Sequence, residues 1–105
     1  MLQRRGYRIV ARNWRCRLGE IDLVAEEGGD LVVVEVKARL SDDFGGPEAA
    51  VNVAKQRKLS RLLDCLLLGR ETVNCRFDVV ALVLDPRGRI RRAEVYQHAF
   101  RYHPR

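Results

Sequence analysis

The sequence predicts an α/β domain in which a mixed β-sheet carries one flanking helix. Alternating and β-branched segments occur at both ends of the chain, and the only leucine-rich stretch with helical spacing lies between them. Glycine-rich turn signals separate these segments. A chain of 105 residues is close to the commonest domain size, so we expect one domain over residues 1–105.

The first half of the chain predicts three consecutive strands. Alternation of apolar and polar residues predicts strands over Tyr7–Asn13 and Leu18–Glu26. The segment Glu27–Asp30 contains two glycines and predicts a tight hairpin turn. Leu31–Arg39 is the strongest β signal, and its β-branched residues are typical of a strand covered on both faces.

A loop and a single helix follow. Ser41–Glu48 predicts a loop in which Pro47 can open a short helical turn. Asn52 is suited to cap a helix over Val53–Leu68, which Gly69 would end. The residues that define the apolar face of this helix are Leu59, Leu62, Leu63, Leu66 and Leu67.

Two more strands complete the predicted order β-β-β-α-β-β. The fourth covers Arg76–Leu84, the turn Asp85–Gly88 follows, and the fifth covers Arg89–Tyr96. The third strand, the helix and the fourth strand form a crossover connection. We therefore expect a right-handed crossover with these two strands parallel, in a sheet that is otherwise antiparallel.

The charge of the chain favours a polyanionic partner. Twenty basic residues against 14 acidic residues give a net charge of +6. Six arginines fall in residues 1–17 and six more in residues 87–105, whereas most acidic residues lie between these ends. A solvated surface that happens to be rich in arginine is the alternative interpretation.

Composition also bears on location. No stretch approaches the roughly 20 apolar residues that span a bilayer, and the N-terminus lacks the apolar core of a signal peptide, so we expect no membrane partner. The odd number of cysteines and the absence of CxxC spacing argue against a disulfide framework or a zinc site. Reduced thiols and a cytoplasmic location are the expectation.

Acidic residues occupy strands that should be largely apolar. Side chains two apart share a strand face, so Glu20 and Asp22 are expected on one face of the second strand, with Ile21 and Leu23 on the other. On the third strand Glu35 shares a face with Lys37. Because the two strands form a hairpin, Asp22 and Glu35 can lie close together.

Adjacent carboxylates repel each other, and unpaired buried charges are costly. One arrangement that relieves this cost is a solvated surface pair between Lys37 and Glu35 or Glu20. The other is a divalent cation such as Mg²⁺ or Mn²⁺, since Mg²⁺ takes one or two carboxylates, several waters and substrate phosphate oxygens. Basic flanks around an acidic centre favour the second arrangement, because a cation reverses the local charge that would repel phosphate.

The spacing Asp22-x12-Glu35-x-Lys37 matches the PD-(D/E)xK pattern, with Ile21 in place of proline. More of the chain resembles the YraN-like family of uncharacterised bacterial proteins (uncharacterised protein family 0102). The segments that carry this resemblance are Gly6–Tyr7, Ala11–Arg15, Gly19–Leu23, Val34–Arg39, Phe44–Pro47 and Arg76–Val80.

That family resembles Holliday-junction resolvases with a restriction-endonuclease-like fold. The resemblance implies a metal site at Asp22 and Glu35 with Lys37 as the catalytic lysine. Family members usually begin with a helix that carries a glutamate. Only Met1–Arg5 precede Gly6 here, so we expect that helix to be largely absent.

The function expected from these residues is metal-dependent cleavage of phosphodiester bonds in structured DNA. Asp22, Glu35 and the carbonyl of Val36 would hold Mg²⁺ or Mn²⁺, Lys37 would activate water, and Glu20 would be a further acidic group. A symmetric homodimer would suit branched DNA. The alternatives are a non-catalytic nucleic-acid-binding module on the same fold and a domain that binds an acidic protein.

Further residues are expected to contact nucleic acid or to support the fold. Asp78 is expected to pair with Arg76 rather than to support the site. Trp14 is expected to belong to the core or to stack on the arginines rather than to bind a base. His98 and His103, in a tail predicted to be irregular, are assigned no role. The predicted nucleic-acid contacts are Arg12, Arg15, Arg39, Lys55, Gln56 and Lys58. The last three resemble helix polar groups that face the site in related folds, and a solvated helix face is the alternative.

Overall fold

The computed structural model of the protein describes residues 2–40, 51–68 and 74–105. In these residues a five-stranded sheet carries one α-helix, which confirms the predicted mixed α/β architecture. A short 3-10 helix, Leu2–Arg5, precedes the sheet. The elements are β1 (Arg8–Cys16), β2 (Gly19–Glu27), β3 (Asp30–Arg39), α1 (Val53–Leu66), β4 (Cys75–Leu84) and β5 (Ile90–Phe100).

The strands lie in the sheet in their order along the chain, β1-β2-β3-β4-β5. β3 and β4 are parallel, with Glu35 beside Val79, and the other three pairs are antiparallel. The predicted parallel arrangement of the third and fourth strands is thus confirmed. The predicted loop Ser41–Glu48, the turn at Pro47 and the helix stop at Gly69 lie outside the described residues.

Apolar side chains cover both faces of the sheet. On one face α1 packs against the sheet, and on the other the chain start and strand residues form a second cluster. The helix-side cluster includes Ile21, Val24, Val33, Leu59, Leu62, Phe77 and Val79, with Trp14 packed against it as predicted. The second cluster consists of Leu2, Tyr7, Ala25, Val32, Val34 and Val80.

The alternation of faces along β2 breaks at Asp22. Ile21 and Val24 both belong to the helix-side cluster, whereas Leu23 packs on the opposite face. The prediction that Ile21 and Leu23 share a face is therefore wrong. Asn13 lies opposite Asp22 in the register of β1 and β2 and has a φ of 50°. Asparagine tolerates this left-handed conformation better than most residues, and the sheet is irregular where it occurs.

The last strand is longer than predicted. β5 extends to Phe100 rather than Tyr96, and His98, predicted to lie in an irregular tail, is part of the strand with a φ of 52°. The pairing of β4 with β5 is irregular at this point and then resumes. Phe100 stacks on Phe77 with ring centroids 4.7 Å apart, so aromatic packing holds the strand beyond the irregularity.

A buried ionic network stabilises the start of β4 on the face away from α1. Arg76 Nε lies 3.0 Å from Asp78 Oδ1, as the predicted pairing requires, and the guanidinium also contacts Glu27 at 2.6 Å and Asp30 at 2.9 Å. The Tyr7 hydroxyl donates a hydrogen bond of 2.6 Å to Asp78. These bonds give each buried charge a partner, so the network has a structural role.

No helix in the parts of the chain described above has both the length and the apolar character needed to cross a bilayer.

Candidate functional site

The candidate site lies where β2 and β3 stop pairing. Their register runs from Glu27–Asp30 to Leu23–Val34. One residue further, Asp22 Oδ2 accepts a hydrogen bond of 2.9 Å from the backbone N–H of Val36. The Asp22 carboxylate therefore takes the place of a strand partner, and this bond fixes its position against β3.

Glu35 is the buried carboxylate of the site. Only 7% of its side chain is exposed, and two ammonium groups lie near its Oε1 atom, Lys37 Nζ at 3.6 Å and Lys55 Nζ at 3.9 Å. Burial raises the pKa of Glu35, and the negative charge of Asp22 raises it further, while the two lysines oppose this shift. The Lys37–Glu35 pair that the sequence left open is therefore formed, with its carboxylate buried and its ammonium partly exposed.

The start of α1 brings Lys55 to the site. The side chain of Asn52 accepts a hydrogen bond of 2.8 Å from the backbone N–H of Lys55, which confirms the predicted cap. Lys55 is the third residue of the helix, and its side chain reaches Glu35. The resemblance implied that Lys55 belongs to a polar helix face turned toward the site, and the structure brings its ammonium to Glu35.

The donor set fits a hydrated magnesium ion better than a metal enclosed by protein ligands. In the described residues no three histidine, cysteine, aspartate or glutamate side chains form a cluster that could hold a metal. Asp22 and Glu35 are close enough to repel each other. Mg²⁺ commonly takes two carboxylates and completes its coordination with water and phosphate oxygens, so these two residues satisfy its requirement.

The structure does not bring every predicted residue to Glu35. Glu20 forms a cross-strand ion pair of 3.3 Å with Arg15. Arg12 lies beside Leu23 and Val36 on the face away from α1. The exposed Arg39 donates a hydrogen bond of 3.0 Å to the carbonyl of Ala38 at the end of β3.

The remaining two predicted contacts lie on α1. The amide of Gln56 is buried; it donates to the carbonyl of Val51 and contacts the His103 ring, each at 2.9 Å. Lys58 is exposed, and its aliphatic stem lies over Gly19, where an added Cβ would come within 3.1 Å of Lys58 Cε. Gln56 is thus committed to internal bonds, whereas the ammonium of Lys58 faces the surface.

His103 has a structural role that the sequence did not indicate. Its backbone N–H donates a hydrogen bond of 2.9 Å to the hydroxyl of Ser60, and its ring contacts Gln56. These bonds attach the end of the chain to α1. They join residues more than 40 positions apart, so no local pattern could have revealed them.

Comparison with known proteins identifies the family. The profile of Uncharacterised protein family UPF0102 matches residues 1–82, a stretch that includes Asp22, Glu35, Lys37 and Lys55. The chain belongs to this family. The resemblance inferred from the sequence is therefore confirmed.

Curated UPF0102 proteins are similar over most of the chain. A UPF0102 protein of Symbiobacterium thermophilum is 54% identical over 97 residues, which cover 90% of this chain and 81% of the relative. A UPF0102 protein of Moorella thermoacetica is 46% identical with the same coverage. One of Caldicellulosiruptor saccharolyticus is 40% identical over 94% of this chain and 86% of its own length.

Proposed function

We propose that this UPF0102 protein is a metal-dependent endonuclease that hydrolyses phosphodiester bonds in structured DNA, such as branched DNA. The observation that carries this proposal is the buried Glu35 carboxylate, which lies beside Asp22 with two ammonium groups within 4 Å. Two carboxylates and a lysine on the ends of a strand pair are the groups needed to activate water next to a phosphate.

Asp22, Glu35 and the carbonyl of Val36 would hold the ion. Mg²⁺ or Mn²⁺ bound there supplies a Lewis acid that polarises the scissile phosphate. The bond from the Val36 N–H fixes one oxygen of Asp22, and the other oxygen would serve as a ligand. Because a ligating carboxylate must be ionised, the raised pKa of Glu35 makes ion binding depend on pH.

Lys37 would orient the attacking water and stabilise the charge that develops on the phosphate. Its ammonium is held 3.6 Å from Glu35 Oε1, and its side chain is partly exposed, so it can reach both the carboxylate and a substrate. Lys55 approaches the same carboxylate from α1 and would contact a phosphate entering between helix and sheet. The net charge of +6 would attract the DNA backbone.

Cleavage of branched, flapped and linear DNA with Mg²⁺, with Mn²⁺ and with a chelator tests this proposal. We expect the wild type to cut only with a metal, and both Asp22→Asn and Glu35→Gln to abolish cutting while the protein stays folded. Glu26→Gln is a matched control, because Glu26 is an exposed glutamate paired with Arg8 at the surface. Metal-independent cutting, or full activity of either site variant, would refute the proposal.

A non-catalytic nucleic-acid-binding module on the same fold is the second candidate. Its support is that Asp22 and Glu35 already have protein partners, the Val36 N–H and the two lysines. This candidate predicts DNA binding without cleavage under every metal condition. In either case we propose a cytoplasmic location, in which the three cysteines would stay reduced.

A further inference from the structure

We propose that a cavity between α1 and the C-terminal tail binds a backbone phosphate of nucleic acid, at a position separate from the Asp22–Glu35 centre. The cavity has a volume of about 410 Å³ and is lined by Arg57, Lys58, Arg61, His103, Pro104 and Arg105. Its tail residues lie beyond the stretch that the family profile matches. The choice of a nucleic-acid phosphate as the ligand depends on the proposed nucleic-acid partner, but it does not depend on cleavage.

The lining carries an excess of positive charge. Within the described parts of the chain, no carboxylate forms an ion pair with Arg57 or Lys58, both of which are exposed. Asp64 is the acidic neighbour, 3.4 Å from Arg61 Nη1 and 4.0 Å from Arg105 Nε. The lining therefore holds four cationic side chains, of which Asp64 contacts two, so an added phosphate would be attracted to the site.

Hydrogen bonds hold the wall of the cavity in place. His103 is bonded to Ser60 and Gln56, and Arg61 donates a hydrogen bond to the His103 carbonyl. The Tyr102 hydroxyl donates a hydrogen bond of 2.7 Å to Asp64. Because the tail is fixed to α1 before any ligand arrives, binding does not require it to become ordered.

The cavity continues a basic stripe that starts at the candidate centre. Lys55, Lys58 and Arg61 follow one another at intervals of three residues along α1, so they lie on neighbouring turns of one side of the helix. The helix rises about 9 Å over these six residues. Each strand of duplex DNA advances about 3.4 Å along the duplex axis per nucleotide, so a duplex aligned with α1 would place the bound phosphate about two to three nucleotides from Glu35.

Binding of labelled single-stranded DNA in the presence of a chelator tests the inference without cleavage. The double variant Arg57→Ala/Arg105→Ala should raise Kd by about 10- to 100-fold, since it removes charge-assisted hydrogen bonds. It should also lower the slope of log affinity against log salt by about 0.7. Arg57→Lys/Arg105→Lys should keep the wild-type slope. Arg87→Ala/Arg89→Ala removes the same charge from the exposed turn between β4 and β5 as a control.

An alanine variant that binds like this control would overturn the inference, and so would a lysine variant whose slope falls to the same extent. Cleavage by the wild type is scored separately. If the wild type cuts DNA but the double alanine variant binds as the wild type does, the proposed function stands and the phosphate subsite is refuted. If Arg57 and Arg105 contribute to binding but the wild type never cuts, the subsite stands and the nuclease proposal is refuted.

A local readout distinguishes contact at the cavity from a general loss of charge. In ¹⁵N spectra the backbone amides of His103 and Arg105 should shift when the oligonucleotide is added. Inorganic pyrophosphate serves as the soluble phosphate for comparison. Shifts with pyrophosphate but none with DNA would assign the cavity to a small phosphate compound and overturn the inference, as would the absence of any shift.

Discussion

Among the residues of the site, Glu35 is the one whose ionisation the fold changes most clearly. Its side chain is buried beside Asp22, and these surroundings favour the protonated form more than water does. Between the ordinary pKa of a glutamate and the raised pKa of Glu35, the folded protein holds a proton that the unfolded chain has released. Stability must therefore decrease as the pH rises through this interval.

Glu35→Gln removes this titration and should flatten that part of the stability profile. In the presence of a chelator, the free energy of unfolding of the wild type should fall relative to the variant as the pH rises above the ordinary carboxyl range. At neutral pH the variant should be at least as stable as the wild type, because it lacks the repulsion with Asp22. Urea unfolding at a series of pH values measures this. If the free energy of unfolding changes with pH in the same way for both proteins, burial does not raise the pKa of Glu35.

At the scale of elements, the irregular position in β1 and β2 determines where Asp22 lies. Asn13 adopts its φ of 50° opposite Asp22, and the two faces of β2 exchange there. Asn13→Gly should retain the fold and divalent-ion binding, because glycine adopts this conformation without strain. Asn13→Val should lower the free energy of unfolding by about 1–3 kcal/mol and weaken ion binding. Calorimetry with Mn²⁺ measures the binding. Equal Mn²⁺ affinities of the two variants would show that the conformation of Asn13 does not affect the site.

The Arg76–Asp78 network is expected to be the most sensitive point of the sheet. Asp78→Ala would remove the fully buried carboxylate that contacts Arg76. It would also leave the Tyr7 hydroxyl without the carboxylate to which it donates. We expect a decrease of about 3–5 kcal/mol in the free energy of unfolding. Glu26→Ala, at an exposed carboxylate paired with Arg8, provides the comparison. A similar small effect for both variants in urea unfolding would show that the network contributes little.

The elements of this fold could be predicted because each has a local signal. The β-branched run of β3, the Asn52 cap and the leucine spacing of α1 all predicted their elements correctly. The proximity of Asp22 to Glu35 followed from a hairpin, which is also local. The approach of Lys55 to Glu35 was implied only by the family resemblance, because it depends on tertiary packing. The attachment of His103 to α1 depends on tertiary packing as well, and no local pattern indicated it.

At the scale of the whole molecule, the arginines at the start of the chain should govern affinity rather than chemistry. The exposed side chains of Arg4, Arg5, Arg8 and Arg12 lie in the 3-10 helix and β1, away from Glu35. Replacing all four with alanine should reduce the salt dependence of DNA binding by up to about 0.9 for each phosphate that these side chains neutralise. Fluorescence anisotropy over a range of salt concentrations measures this. Affinity that does not depend on salt would exclude a polyanionic partner.

A homodimer that presents two centres to branched DNA stays a prediction. Sedimentation of the protein with and without a four-way junction would determine the oligomeric state. A protein that stays monomeric both alone and on the junction would contradict a symmetric dimeric enzyme.

The separation of cleavage rate from DNA affinity in Lys37 variants tests the central claim most directly. With Mg²⁺ and saturating DNA, Lys37→Ala should lower kcat by about 10²- to 10³-fold with little change in Kd, because a catalytic lysine acts in the transition state. Lys37→Arg should fail to restore kcat, since a guanidinium cannot replace a compact ammonium 3.6 Å from Glu35. Arg87→Ala, in the exposed turn between β4 and β5, should match the wild type. If Lys37→Ala only weakens binding and Lys37→Arg restores it, then Lys37 is one phosphate contact among 20 basic residues, and the claim is contradicted.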